Sequence, residues 1–167
     1  MYSNYQFYFE IYRQGYNPIV TDIAYPFYEQ LSRAYIDLQT MRRIQDKVDI
    51  DALGLFFAMV ESSSYLAMIE DSEFIATISS DTNLNRWILE NVFMASAALT
   101  EIYYKYGGAT DNLHDKSAVL LLPQGISAKQ LQGFTLQELE AQKARELSLA
   151  IEKYLAGSGL LYRGGTS

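Results

Sequence analysis

The chain has 167 residues, 49% of them hydrophobic and 20% charged, which is enough for one core and far from the composition of a disordered segment. Its 20 acidic against 13 basic residues give a formal net charge of −7, which argues against nucleic acid as a direct partner, because that binding rests on basic neutralisation of phosphates. With no cysteine and a single histidine, disulfides, thiolate-held zinc, the paired Glu-x-x-His sites of di-iron bundles and a helical zinc-protease motif are all excluded.

The first sixteen residues, MYSNYQFYFEIYRQGY, hold five tyrosines and two phenylalanines. Tyr2, Tyr5, Phe9, Tyr12 and Tyr16 lie at helical spacing, while Phe7, Phe9 and Ile11 alternate with Tyr8, Glu10 and Tyr12 as on a strand. Gly15, Asn17 and Pro18 make a turn, after which PIVTDIAY offers a return strand. Both readings stand, with the helix favoured because a lone two-stranded hairpin is marginal. Either conformation displays aromatic side chains on two sides, so an exposed patch is expected on this arm, and its removal is expected to leave a folded remainder.

Residues 26–48 read as a helix, with Pro26 in the first turn and Phe27, Leu31, Ala34, Leu38 and Met41 as the core stripe. Arg33, Asp37 and Arg42 fall on the opposite, solvent face. Asp49 or Asp51 can cap a second helix in which Leu53, Phe57, Val60, Ser64, Ala67 and Ile75 keep the period toward Ile78. The cleanest stripe is Leu84, Ile88, Val92, Ala95, Leu99, Ile102 and Tyr106, which the pair Gly107 and Gly108 is expected to end. Phe93, Met94, Ala97 and Ala98 add apolar surface off that stripe and mark this third helix as the central one. Beyond it the helical period disappears as far as Gln124, around the short apolar run AVLLLPQG. Ser127 and Gln130 match a capping box for a brief turn. Thr135 and Glu138 repeat that box with Phe134 and Leu139 as a hydrophobic staple, so a last helix starts at 135. Its charged first half, ELEAQKARE, asks for solvent or a partner's charge, and its second half, through Leu147, Ala150, Ile151, Tyr154 and Leu155, asks for a core. GSG at 157–159 ends it.

The fold class expected is therefore mainly α, an antiparallel bundle of about four helices. It divides into an aromatic N-terminal arm at 1–25, a helical bundle domain at 26–157 and a short C-terminal tail at 158–167. The longest apolar runs, such as ALGLFFAMV at 52–60, fall short of the roughly 20 residues of a spanning helix. No secretory signal is read in the first residues, because Asn4, Gln6, Glu10 and Arg13 interrupt the apolar stretch. The expected location is cytoplasmic, or a particle assembled in the cytoplasm.

Catalytic motifs are weak. His114 in DNLHD, with Asp111 and Asp115, could offer one imidazole and two carboxylates to a metal, but such residues are common in turns for local hydrogen bonding. YKYGGATDN lacks the spacing and the lysine of a nucleotide loop, and no G-x-S-x-G elbow supports a triad through His114. Glu90 and Glu101 share nearly one face but lie ~16 Å apart on a helix, too far to act on one atom. No catalytic, metal or cofactor site is therefore assigned.

The expected function is a non-catalytic structural or assembly subunit of a larger homo- or hetero-oligomeric complex, of the kind found in virion connectors or collars. Its partners would be copies of itself and other protein subunits. The interface is expected at Tyr2, Tyr5, Phe7, Tyr8, Phe9, Tyr12 and Tyr16, with Leu160, Leu161, Tyr162 and Arg163 as a second contact, because tyrosine and arginine suit protein interfaces. The alternative is a small-ligand-binding or catalytic bundle using Trp87, Tyr103 and Tyr104.

Overall fold

The computed structural model describes residues 1–49, 86–114 and 136–161, with backbone alone at 46–47, 86–87, 107–114 and 136. The protein is mainly helical, its helices pack against one another, and no strand occurs among the described residues. The N-terminal arm is helix rather than hairpin. In α1 (Tyr5–Phe7) the Asn4 side chain accepts the Phe7 N–H at 2.8 Å and caps the start. The helix then widens into a π-helical turn, Tyr8–Tyr12, where the Arg13 N–H reaches back five residues to the Tyr8 carbonyl at 2.8 Å. Gln14 and Gly15 at positive φ end it, with the Gly15 N–H on the Phe9 carbonyl at 2.7 Å.

Helix α2 (Tyr25–Gln39) starts where Thr21 Oγ1 accepts the Ala24 N–H at 3.2 Å and Pro26 occupies the first turn. It stops short of the expected 48. The Arg42 N–H bonds the Asp37 carbonyl at 2.7 Å and the Met41 N–H bonds Leu38 at 3.3 Å, a Schellman closure. Met41 therefore sits in the left-handed region at φ 52, where glycine is usual, and Arg42 follows at φ 58. A one-turn helix, α3 (Arg43–Lys47), comes next. The helix expected from 49 to 78 and the capping box at 127–130 lie outside the described residues beyond Asp49.

Helix α4 (Arg86–His114) is the hub: it packs against α2, against the π turn of the arm and against α5 (Leu136–Leu155). Its predicted stripe is borne out at Val92, Ala95, Leu99 and Tyr106, which are buried, and Phe93, Ala97 and Ala98 are buried beside it. The expected stop is not. The helix runs through Gly107 and Gly108 to His114, because a glycine inside a helix costs only about 1 kcal/mol relative to alanine, an amount a long packed helix absorbs. His114 thus lies in a helix rather than in a loop.

Helix α5 buries Leu139, Leu147, Ile151 and Leu155 and leaves most of its charged first half exposed, as its sequence implies. Ser158 N–H on the Leu155 carbonyl at 3.1 Å and Gly159 at φ 77 turn the chain out of it. Leu160 is then buried, and the Arg43 guanidinium of α3 holds the Gly159 carbonyl at 3.2 Å. No helix among the described residues is long and apolar enough to cross a membrane.

Candidate functional site: the two faces of helix α2

Helix α2 carries two rows at helical period, and the more polar one faces the core. Tyr25, Glu29, Ser32, Ile36 and Asp37 are buried, with Thr40 just beyond. This reverses the expectation that placed Phe27, Leu31, Ala34, Leu38 and Met41 inside and Asp37 in solvent. The reason lies in what meets the inner row. The arm inserts Tyr2 and Ser3 between α2 and α4, and α4 presents Ser96 and Thr100. Ser3 Oγ lies 2.5 Å from the Tyr25 hydroxyl and 2.8 Å from Ser96 Oγ, while Ser32 Oγ lies 3.0 Å from Thr100 Oγ1. These small hydroxyl residues let the helices approach closely and satisfy each other's polar atoms, which a buried polar group requires.

Both buried carboxylates of α2 are held by the arm. Glu29 Oε1 accepts the Tyr2 N–H at 2.8 Å, and Asp37 Oδ1 accepts the Tyr2 hydroxyl at 2.5 Å. Gln45 donates to the other Asp37 oxygen. Burial raises the Glu29 carboxyl above its ordinary range against the opposing pull of the Tyr2 N–H. Burial also raises the Tyr2 phenol, reinforced by its bond to Asp37, so Tyr2 stays a neutral donor.

A second polar knot ties the arm to α4. The Tyr8 hydroxyl donates to Glu101 Oε1 at 2.7 Å and accepts the N–H groups of Ile19 at 2.8 Å and Val20 at 3.2 Å. Arg13 pairs with the same Glu101 oxygen. Burial pushes the Tyr8 phenol up to about 12. None of the buried side-chain polar atoms described in these two knots is left without a partner, so they read as fastening rather than as chemistry. Among the described residues no group of three or more acidic or histidine side chains could hold a metal ion, and the side chains of Asp111 and His114 lie outside that description.

The outer face of α2 is the reverse. Phe27 is 62% exposed, Leu31 40%, Leu38 68% and Met41 56%. Beside this row runs a groove of about 880 Å³ with Arg33, Asp37, Leu38, Met41, Arg42 and Gln45 in its walls.

The residues expected to form an interface are dispersed. Tyr2, Phe7 and Tyr8 are buried in their own chain, packed on Glu29, Asp37, Phe93 and Tyr25. Tyr5, Phe9 and Tyr12 are half-buried, and Tyr16 is 73% exposed. In the tail Leu160 is buried and Leu161 half-buried, while Tyr162 and Arg163 lie outside the described residues. Sequence reasoning missed Glu29 and the outward turn of Phe27, Leu31 and Leu38. The available signal was the second row Tyr25, Glu29, Ser32 and Ile36, which keeps the same period. Comparison with protein-family models, with curated proteins and with solved structures returns no match.

Proposed function

We propose that the chain is a non-catalytic structural or assembly subunit of a homo- or hetero-oligomeric complex, docking through the outer face of α2. The observation that carries this reading is the row Phe27, Leu31 and Leu38 on α2 with Met41 just past its end, large apolar side chains left in solvent, since contiguous exposed apolar surface marks interaction sites. From the aromatic arm, Tyr16 and the open edges of Tyr5, Phe9 and Tyr12 remain as a second contribution.

Light scattering on the purified chain across a wide concentration range tests the reading. Mass rising above the 19.0 kDa of one chain, or co-assembly with a protein partner, is the expected result. A monomer at every concentration that captures no protein overturns it. The groove beside α2 favours a second reading, a small-ligand site, because its volume of about 880 Å³ lies within the usual range of ligand clefts. That reading predicts a monomer whose melting temperature rises with a small amphiphile carrying an acidic group, matched to Arg33 and Arg42.

A further inference from the structure

Resting on the assembly reading, we infer that two copies of this chain exchange their aromatic arms: residues 1–13 of each copy leave their own body and fill the cleft between α2 and α4 of the other, with residues 14–18 as the hinge. The receiving cleft is the one the arm already occupies in its own chain. Outside its own helical turns the arm is held mainly by residues far along the sequence: Tyr2 by Glu29 and Asp37, Ser3 by Tyr25 and Ser96, Phe7 by Phe93, and Tyr8 and Arg13 by Glu101. None of these contacts depends on which copy supplies the arm. An exchanged pair keeps them all, and exchange of an identical element is a low-cost route to a dimer.

The hinge is where the two forms differ in energy. Gln14, Gly15 and Asn17 lie at φ 54, 75 and 46, left-handed values that cost free energy in any residue with a side chain. Asn17 also stands directly before Pro18, whose ring pushes the preceding residue toward extended backbone. The closed turn is held by the Gly15 N–H on the Phe9 carbonyl at 2.7 Å and the Tyr16 N–H on the Arg13 carbonyl at 3.0 Å. Residues 14–17 are exposed, so water takes over both bonds when the turn straightens. Straightening returns all three residues to negative φ, and a short hinge under strain invites exchange.

Both ends of the hinge are fixed. Arg13 pairs with Glu101 on one side, and on the other the N–H groups of Ile19 and Val20 bond the Tyr8 hydroxyl, which in the exchanged form is the second copy's. The stretch 14–18 between them spans about 17 Å when extended, a length that carries an arm off its own body. Association costs translational and rotational freedom, so the closed monomer prevails in dilute solution and the exchanged pair grows with concentration.

Because the chain has no cysteine and Ser3 Oγ lies 2.8 Å from Ser96 Oγ, cysteines at these two positions report whose arm fills a cleft. A chain carrying Ser3→Cys and a differently tagged chain carrying Ser96→Cys are refolded together at high concentration and oxidised, with Ser148→Cys on exposed α5 replacing Ser96→Cys as the control. The expected product is the mixed disulfide, several-fold above the control. Two cysteine-free hinge variants give a second reading by light scattering, and decide alone should either cysteine chain lose its helical circular dichroism signal. A side chain added at Gly15 meets nothing within 4 Å, so Gly15→Val strains only the closed turn and should raise the dimer fraction several-fold, whereas Pro18→Ala frees Asn17 and should lower it. Cross-linking at the control level between folded chains, or hinge variants that leave the dimer fraction unchanged or move it the same way, would overturn the exchange. The mass of the wild-type chain then separates the two failures: an oligomer or a captured protein partner keeps the assembly reading with its contact elsewhere, and a monomer that captures no protein removes both.

Discussion

The aromatic arm and the outer row of α2 are both strongly apolar in sequence, yet one is swallowed by the chain's own core and the other is left outside. Tyr2, Phe7 and Tyr8 are buried, whereas Phe27, Leu31, Leu38 and Met41 are exposed. For Tyr2 and Tyr8, polarity at the ring edge separates them from that row, while Phe7 packs edge-on against Phe93. Tyr2 and Tyr8 carry hydroxyls that reach Asp37 and Glu101, so each fills apolar space and also satisfies a carboxylate. The outer row has no polar atoms to offer, and the inner face of α2 is already matched, hydroxyl to hydroxyl, to α4. Hydrophobicity alone does not decide what goes inside; the pairing of the polar groups that must accompany it does.

The harshest way to test that contrast is to remove the arm. Deleting residues 2–12 takes away three buried aromatic side chains, each worth roughly 1.5–3 kcal/mol of burial, out of a typical total of about 5–15 kcal/mol. Circular dichroism should show cooperative loss of the helical fold, in contrast to the folded remainder expected from sequence. A remainder that melts like the full chain would break the comparison.

Leu99→Ala in the shared hub α4 should cost roughly 2–5 kcal/mol by chemical denaturation, through lost contacts and a cavity, because Leu99 is fully buried. A cost near zero would mean that the register of α4 is misplaced.

How far the fold could be read depended on how many rows each helix offered. Helix α4 was legible because its stripe is almost purely apolar, and the second half of α5 because Leu147, Ile151 and Leu155 have no competing row. Helix α2 was legible as a helix but not in its orientation. Its choice between Phe27, Leu31, Leu38 and Tyr25, Glu29, Ser32, Ile36 is made by Ser3, Ser96 and Thr100, which lie far away in sequence. The π turn at Tyr8–Tyr12 has no pattern of its own in the sequence, and the glycine pair in α4 shows that a local stop signal yields to a long packed helix. Of the candidate site, the aromatic arm was visible and its inward fate was not.

Two finer substitutions sharpen the role of the polar fasteners. Tyr8→Phe strips a donor from Glu101 and leaves the Ile19 and Val20 N–H groups without the oxygen they share, so it should cost roughly 1–3 kcal/mol. An unchanged denaturation midpoint would show that water replaces the hydroxyl. The effect of Glu29 is smaller and depends on pH. Its folded-state pKa is raised by burial above an ordinary value near 4.5. The folded state therefore holds its proton more tightly than the unfolded one. The stability this provides is full below about 4.5 and is lost as pH rises through the raised value. Glu29→Gln should flatten that part of the stability profile while keeping an oxygen for the Tyr2 N–H. A profile with the same slope would assign it to another group.

The central claim is that α2 turns its polar row inward and its apolar row outward, and the unfolding free energy of Leu38→Lys at a concentration where the chain is monomeric tests it most directly. The account predicts a change within about 0.5 kcal/mol of wild type, as for other exposed positions, together with weaker self-association at high concentration. A loss of several kcal/mol in the monomer would place Leu38 inside the chain's own core and contradict the account.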